Sequence, residues 1–189
     1  LREFETLLTP FTEIEPPLFD HSRVKPPEKG WDDLSLHDFV RFKVKTLELN
    51  VEQLAVPDGK LPQVLRILEG LLIRSETLIA EVSEIRLDRL TCYDEREVTG
   101  RSYSKYTLFD LYLALFKRYL LVAPSAAKHI VLAWPNDFPI FGMLRLFAFN
   151  DKSLFSAEEV IKEQLSTTDE LLFAWNIRRE FVFLIEDRH

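Results

Sequence analysis

Apolar residues recur every three or four positions over much of the chain, which is the spacing of one face of an α-helix. The steadiest run begins after the Pro57-Asp58-Gly59 turn and consists of Leu61, Val64, Leu68, Leu71, Ser75, Leu78, Val82 and Ile85. A shorter run with the same spacing precedes that turn and consists of Leu36, Val40, Val44, Leu47 and Val51. Ser35 and Asp38 can cap its first turn. The two runs predict a long antiparallel helical hairpin over residues 34–90.

Residues 107–189 contain five further helix starts, so this part is predicted to be a five-helix region. The polar residues that open these helices are Thr107, Ser125, Asn136, Ser156 and Thr167. Short loops between consecutive helices favour antiparallel neighbours. The helices at 108–122 and 138–149 are apolar nearly all round, so we expect both to be buried in the centre of the fold.

Two segments lack helical spacing. Residues 1–33 contain five of the ten prolines, each of which excludes helix at and just before itself. They predict an extended proline-rich arm that packs on the helical body. Residues 91–106 have no helical period, which predicts a polar exposed loop. The predicted fold is therefore all-α, with antiparallel helix hairpins stacked as a solenoid-like array or packed as an orthogonal bundle.

Composition excludes several classes of protein. The chain has 189 residues, of which 47% are hydrophobic, and this excludes intrinsic disorder. No apolar run reaches the roughly 18 residues that a membrane-spanning helix requires. A single cysteine, Cys92, and the lack of an Asn-x-Ser/Thr site favour the reducing cytoplasm. Because the chain begins at Leu1 and its only methionine is Met143, we expect one compact domain cut from a longer chain.

The sequence lacks the common motifs for catalysis, metal binding and nucleotide binding. Its histidines are dispersed at His21, His37, His129 and His189. A structural zinc site needs clustered Cys and His ligands, and the chain offers one cysteine. We therefore predict no catalytic residue, no metal ligand and no cofactor, and a protein that is not an enzyme.

The charge is unevenly distributed. The whole chain has a formal net charge of -7, whereas residues 101–128 carry five basic residues against Asp110 alone. A basic surface that also presents tyrosines can bind phosphate groups or an acidic partner. The candidate partner-binding residues are Arg101, Tyr103, Lys105, Lys117, Arg118 and Lys128. A solvated helix face is the alternative interpretation.

Three arginines lie on helices that are predicted to pack inside the fold. Arg145 is the sole charged residue of 138–149, and Arg178 and Arg179 lie on the last helix. A buried guanidinium needs a carboxylate or several carbonyl oxygens, because an unpaired buried charge is very costly. Each of the three is therefore a candidate for a buried ion pair or for binding an anion.

One resemblance rests on three stretches of the C-terminal half. They are Trp134-Pro-Asn-Asp-Phe-Pro-Ile-Phe-Gly-Met-Leu-Arg-Leu-Phe-Ala-Phe, Ser156-Ala-Glu-Glu-Val and Ile177-Arg-Arg-Glu-Phe-Val-Phe-Leu-Ile. This pattern, over residues 134–185, resembles the helical repeat regions of large bacterial multidomain antiviral-defence proteins with SIR2-like or STAND-type NTPase domains. The resemblance implies a HEAT-like or TPR-like scaffold segment and carries over no catalytic residue.

Together these patterns predict a non-catalytic α-helical module for protein–protein interaction or scaffolding. Its expected partner is another protein or a neighbouring domain of the parent chain, and binding to a membrane is not expected. A nucleic-acid-binding domain that uses the segment 101–128 is the first alternative. An enzyme with an unrecognised site is the second.

Overall fold

Helices account for most of the computed structural model, in which the described residues are 1–15, 41–45, 55–82, 92–93, 107–165 and 178–188. The α-helices of these ranges are α1 (Arg2–Leu8), α2 (Leu61–Val82), α3 (Thr107–Val122), α4 (Pro124–Ala133), α5 (Pro139–Phe149), α6 (Ala157–Leu165) and α7 (Arg178–Arg188). Two strands, β1 (Phe11–Glu15) and β2 (Arg41–Lys45), and a 3-10 turn at Asp58–Lys60 are also present. The mostly helical character that the spacing predicted is confirmed.

Helix α2 follows the predicted apolar face. It begins directly after the 3-10 turn, and Pro62 lies in its first turn, where a missing N–H leaves no hydrogen bond unmade. The buried residues along α2 are Leu61, Val64, Leu65, Leu68, Leu71, Leu72, Ser75 and Glu76. The last two are polar, so α2 brings hydrogen-bonding groups into the core as well as apolar surface.

Helices α3 and α5 are central, as predicted. In α5 most positions are buried, namely Ile140, Phe141, Met143, Leu144, Leu146, Ala148 and Phe149. In α3 the buried residues come from both predicted stripes: Leu108, Phe109, Leu111, Tyr112, Leu113, Leu115, Phe116 and Tyr119. Aromatic rings join the two helices through Trp134, whose ring centre lies 5.0 Å from that of Phe116 and 5.9 Å from that of Phe141.

Consecutive helices of the body pack against each other. Helix α2 packs on α3, α3 on α4 and α4 on α5, while α5 also packs on α7 and α1 packs on α2. Only Ala123 separates α3 from α4, and Pro124 begins α4 at a position where proline is favoured. These contacts make sequence neighbours into spatial neighbours. The finer arrangement, solenoid-like or orthogonal, stays a prediction.

The start of α6 is a capping box, as its sequence predicted. The N–H of Ser156 donates to Oε2 of Glu159 at 2.8 Å, and the N–H of Glu159 donates to Oγ of Ser156 at 3.2 Å. Each side chain therefore binds a backbone N–H that the first turn of a helix leaves without an intrahelical partner.

The two strands correct the prediction for the N-terminal half. Strand β1 pairs antiparallel with β2 in a register that runs from Phe11 opposite Lys45 to Glu15 opposite Arg41. The helix predicted to run from Ser35 to Val51 is therefore wrong over Arg41–Lys45. This segment alternates charged and apolar residues, which suits a strand, and the four-residue spacing of the surrounding leucines and valines concealed that pattern.

The predicted arm and loop also differ from the structure where they are described. Residues Arg2–Leu8 form α1 instead of extended chain, and Pro10 comes two residues after its end. Leu8 is buried in the core cluster. In the predicted exposed loop, Cys92 is buried and Tyr93 is half-buried, so the exposure predicted for 91–106 is wrong at both. Cys92 belongs to the core cluster and Tyr93 packs against that cluster. The ring of Tyr93 contacts the ring of Phe147 edge-on. The remaining parts of the predicted arm, hairpin, loop and five-helix region, over residues 16–40, 46–54, 83–91, 94–106 and 166–177, lie outside the described residues.

Candidate functional site

The structure places half of the candidate partner-binding residues. Arg101, Tyr103 and Lys105 lie outside the described residues. Lys117 and Arg118 lie on α3 and Lys128 lies on α4. Each of these three cations contacts a group of its own chain.

Arg118 ties α3 to the turn that precedes α2. Its Nη1 donates to the backbone carbonyl of Val56 at 2.7 Å, and its Nη2 forms a salt bridge with Asp58. Both side chains of the ion pair are partly exposed, so the ion pair itself adds little stability. The hydrogen bond to the carbonyl is the more specific contact, because it fixes one point on α3 against the chain 62 residues earlier.

The two lysines combine a polar contact with an aromatic face. Lys117 donates to the carbonyl of Cys92 at 3.3 Å, and its Nζ lies 5.2 Å from the centre of the Phe147 ring. Lys128 donates to Oε1 of Glu159 at 2.7 Å and lies 4.8 Å from the centre of the Phe155 ring. A cation over a ring at these distances is attracted by the ring quadrupole. These contacts hold α4 to α6 and the 92–93 segment to α3.

Replacing Arg118 with Gln is expected to lower the free energy of unfolding by about 1 kcal/mol, because the Val56 carbonyl loses its donor. Chemical denaturation followed by circular dichroism measures the change. Arg74→Gln, at an exposed position of α2, is the matched control and should change stability by less than about 0.5 kcal/mol. Equal effects of the two substitutions would contradict a structural role for Arg118.

Arg145 binds the C-terminal end of α4. Its Nη2 donates to the carbonyl of Trp134, the residue that follows α4, at 2.7 Å. Burial lowers the pKa of the guanidinium, and the negative charge of Glu163 opposes that shift. The contact with a helix end is the structural alternative to anion binding, and it places a cation where the helix carries partial negative charge.

The other two candidate arginines, Arg178 and Arg179, lie at the start of α7. The side chain of Arg178 lies outside the described part of the chain. Arg179 Nη2 lies 3.7 Å from Oε1 of the fully buried Glu180. A charged pair of this kind is consistent with the predicted buried ion pair, and its acid lies next to the arginine on α7.

The sequence interpretation did not identify a polar cluster formed by Glu69, Tyr112 and Trp134. The Tyr112 hydroxyl donates to Glu69 Oε1 at 2.8 Å, and Trp134 Nε1 lies 3.1 Å from both Glu69 Oε1 and the Tyr112 oxygen. Burial raises the pKa of Glu69, and hydrogen bonds from Tyr112 and Trp134 oppose that rise. Burial also raises the pKa of Tyr112, and the charge of Glu69 raises it further. The signal available in the sequence was a glutamate directly after Leu68 of the buried face.

A buried glutamate, Glu76, lies two turns after Glu69 along α2. Glu76 Oε1 accepts a hydrogen bond from the backbone N–H of Ile140, in the first turn of α5, at 3.1 Å. Burial raises the pKa of Glu76 to about 7, and the Ile140 N–H lowers it by a smaller amount. The signal available in the sequence was Ser75, which is the one polar position in the predicted apolar run and directly precedes Glu76.

The C-terminal end of α5 is held by polar side chains from α7. Arg188 Nη2 donates to the carbonyls of Phe149 and Phe155 and, at 3.3 Å, to that of Asp151. Asn150 Nδ2 donates to the hydroxyl of Tyr93 and, at 2.9 Å, to Asp187 Oδ2. The bond to Phe149 pairs the last carbonyl of α5, which has no intrahelical donor, and the other bonds hold the chain that follows this helix.

The described polar residues therefore act mainly as ties between helix ends. In the ranges that the structure describes, no group of three or more His, Cys, Asp or Glu side chains is arranged to hold a metal ion. None of the described helices is both long and apolar enough to cross a membrane. The arrangement supports fixed helix packing, and the titratable groups it brings wholly or partly inside include Glu69, Glu76, Tyr112 and Glu180.

The fold and the site define a mostly helical protein whose buried polar groups join its helices. Comparison with protein-family models, curated proteins and solved structures finds no match. The resemblance to helical repeat regions of antiviral-defence proteins therefore stays a prediction.

Proposed function

We propose that the chain is a non-catalytic α-helical interaction module, which binds a protein partner or neighbouring domains of a longer parent protein. The observation that supports this proposal is the exposed apolar end of α3. Leu121 is 87% exposed and Val122 is 50% exposed, although most of the other large apolar residues of α3 are buried. The neighbouring cations Lys117 and Arg118 are held by contacts within the chain.

The energetics of burial favour a protein partner at this end of α3. Removing a leucine side chain from water is worth about 1.5–3 kcal/mol, so an exposed Leu121 offers free energy to whatever covers it. The centres of protein interfaces are apolar and depleted in free charge. A nucleic acid gains its affinity from unpaired cations instead, and the described cations of the segment 101–128 already contact groups of the chain.

The finer part of the proposal concerns architecture. The successive contacts of α2 with α3, α3 with α4 and α4 with α5 are the neighbour pattern expected of stacked helix hairpins. Under this proposal the module is a solenoid-like scaffold segment of a cytoplasmic protein, as the resemblance over residues 134–185 also implies.

Site-specific cross-linking tests the proposal. A photoreactive amino acid is placed at Leu121 in the full-length natural protein, and cross-linked peptides are identified by mass spectrometry. The expected result is one dominant protein or one domain of the same chain. The same reagent at Ile161 on α6, which is 59% exposed, is the matched control.

The double variant L121S/V122S completes this test. It should abolish the cross-link of a third reporter position on α3, Ala114, while the free energy of unfolding changes by less than about 0.5 kcal/mol. Ala114 is exposed and lies two turns before Leu121 on the same helix. Equal cross-linking at Leu121 and Ile161, or a partner that the double variant retains, would count against the proposal.

A further inference from the structure

A buried carboxylate joins two helices that are far apart in the chain. Glu76 on α2 binds the N–H of Ile140 at the start of α5, and the two residues are 64 positions apart. The glutamate is only 7% exposed. Its second oxygen, Oε2, is buried and has no hydrogen-bond partner among the residues that the structure describes.

The two protonation states of this side chain differ in how well they fit the site. The ionised form accepts the Ile140 N–H with one oxygen but buries its charge with a second oxygen that no donor reaches. A buried charge with incomplete hydrogen bonding is costly. The neutral acid keeps one oxygen as the acceptor for Ile140 and carries its proton on the other, so it removes the charge without losing the bond.

Among the described residues, no charged side chain stabilises the ionised form of Glu76. The ionisable groups on the neighbouring elements include Glu69 and Arg74 on α2, Tyr112 on α3, Asp137 before α5 and Arg145 within α5. Strand β2, which also packs on α2, carries Arg41, Lys43 and Lys45, and their side chains lie outside the described part of the chain. Glu69 is bound to Tyr112 and Trp134, and Arg145 to the Trp134 carbonyl. Burial and the Ile140 N–H are the influences on the pKa of Glu76 among the described residues. The partial positive charge at the start of α5 favours the anion, and it acts on Glu76 through the same Ile140 N–H.

We propose that Glu76 is a proton-dependent tie, which holds the start of α5 against α2 when protonated and loosens that contact when ionised. This inference is independent of the proposed function. Its geometric basis is a carboxyl group shielded from water, bound through one oxygen and unpartnered at the other. It predicts that the junction between α2 and α5 is firmer in mild acid than above neutral pH.

The direction of the pH effect follows from linkage. Burial raises the pKa of Glu76 from 4.5 to about 7, so the folded chain binds this proton more tightly than the unfolded chain. The resulting stability is fully present below the unfolded pKa and is lost as the pH rises through the folded pKa. Between pH 4 and pH 8 the contribution of Glu76 should raise the unfolding equilibrium constant on the order of 100-fold.

An NMR titration of the complete chain between pH 4 and pH 9 tests the tie directly. The backbone amide of Ile140 should shift with a midpoint near 7, the value to which burial raises Glu76. This transition should be absent in Glu76→Gln and unchanged in Glu158→Gln, an exposed glutamate of α6. A midpoint at or below 4.5, or a transition near 7 that survives in Glu76→Gln, would overturn the proposal.

Denaturation at several pH values gives a second readout. The difference in stability between the natural chain and Glu76→Gln isolates the contribution of Glu76 from that of Glu69, whose pKa burial also raises. The free energy of unfolding of the natural chain minus that of Glu76→Gln should fall as the pH rises from 4.5 to 8. A difference that does not depend on pH would overturn the proposal. If Glu76→Gln does not fold, the Ile140 midpoint of the natural chain decides alone.

Discussion

Replacing Trp134 with Ala should lower the free energy of unfolding by about 4 kcal/mol. The indole is 5% exposed and lies among the rings of Phe116, Phe141 and Tyr112, so its removal leaves a large cavity between α3 and α5. The same change removes the Nε1–H donor from the half-buried carboxylate of Glu69. Urea denaturation followed by circular dichroism measures the loss.

Trp134→Phe separates the two contributions. Phenylalanine keeps a ring in the cluster but cannot donate to Glu69 or Tyr112. We expect a loss of about 1–2 kcal/mol, which is the cost of a missing hydrogen bond to a partly buried acceptor plus a smaller ring. Equal losses for the Phe and Ala variants would show that packing around Trp134 contributes nothing, which the ring contacts argue against.

The helices could be predicted because their signals are local. In α2 the apolar residues that pack on α3 recur within each turn of the helix. Ser156 and Glu159 are three residues apart, and the capping box they form needs no other part of the chain. Such patterns express geometry that every helix shares.

The strand pair could not be predicted in the same way. Segment Arg41–Lys45 satisfies both a two-residue and a four-residue apolar spacing, because Val40 and Val44 continue the run that begins at Leu36. The choice between the two depends on Phe11–Glu15, which lies far away in sequence and supplies the antiparallel partner. A strand is stabilised by such nonlocal pairing, so spacing within one segment does not decide it.

The polar ties were hidden from sequence for a related reason. Arg118, Arg145 and Glu76 each bind a backbone group, and a backbone carbonyl or N–H has no residue type that marks it. The basic residues of the segment 101–128 were therefore predicted to contact an external partner. Their charge can be counted from sequence, but the internal acceptors of Lys117, Arg118 and Lys128 depend on which parts of the chain the fold brings near them.

The two arginine ties share an electrostatic pattern. Arg145 meets the end of α4 and Arg188 meets the end of α5. A helix carries partial negative charge at its end, so each cation lies where the helix attracts it and satisfies a backbone carbonyl there. Glu76 also satisfies a backbone group at a helix end, the Ile140 N–H, but burial favours its neutral form.

Replacing Arg188 with Met should lower the free energy of unfolding by about 3 kcal/mol, because several carbonyl oxygens lose one charged donor together. In the natural chain Nη2 binds the carbonyls of Phe149 and Asp151 at the end of α5 and that of Phe155 before α6. Methionine preserves much of the apolar stem but donates no hydrogen bond. Denaturation measures the overall loss, and hydrogen exchange should show faster exchange in α7 and at the end of α5.

Two controls make the result specific. Arg74→Met changes the same residue type at an exposed position of α2 and should alter stability by less than about 0.5 kcal/mol. Arg188→Lys keeps the positive charge but not the guanidinium geometry, so it should recover only part of the loss. If Arg188→Lys restored full stability, attraction between a cation and the end of α5 would account for the tie. If Arg188→Met behaved like Arg74→Met, the carbonyl contacts would contribute nothing to holding α7 against α5.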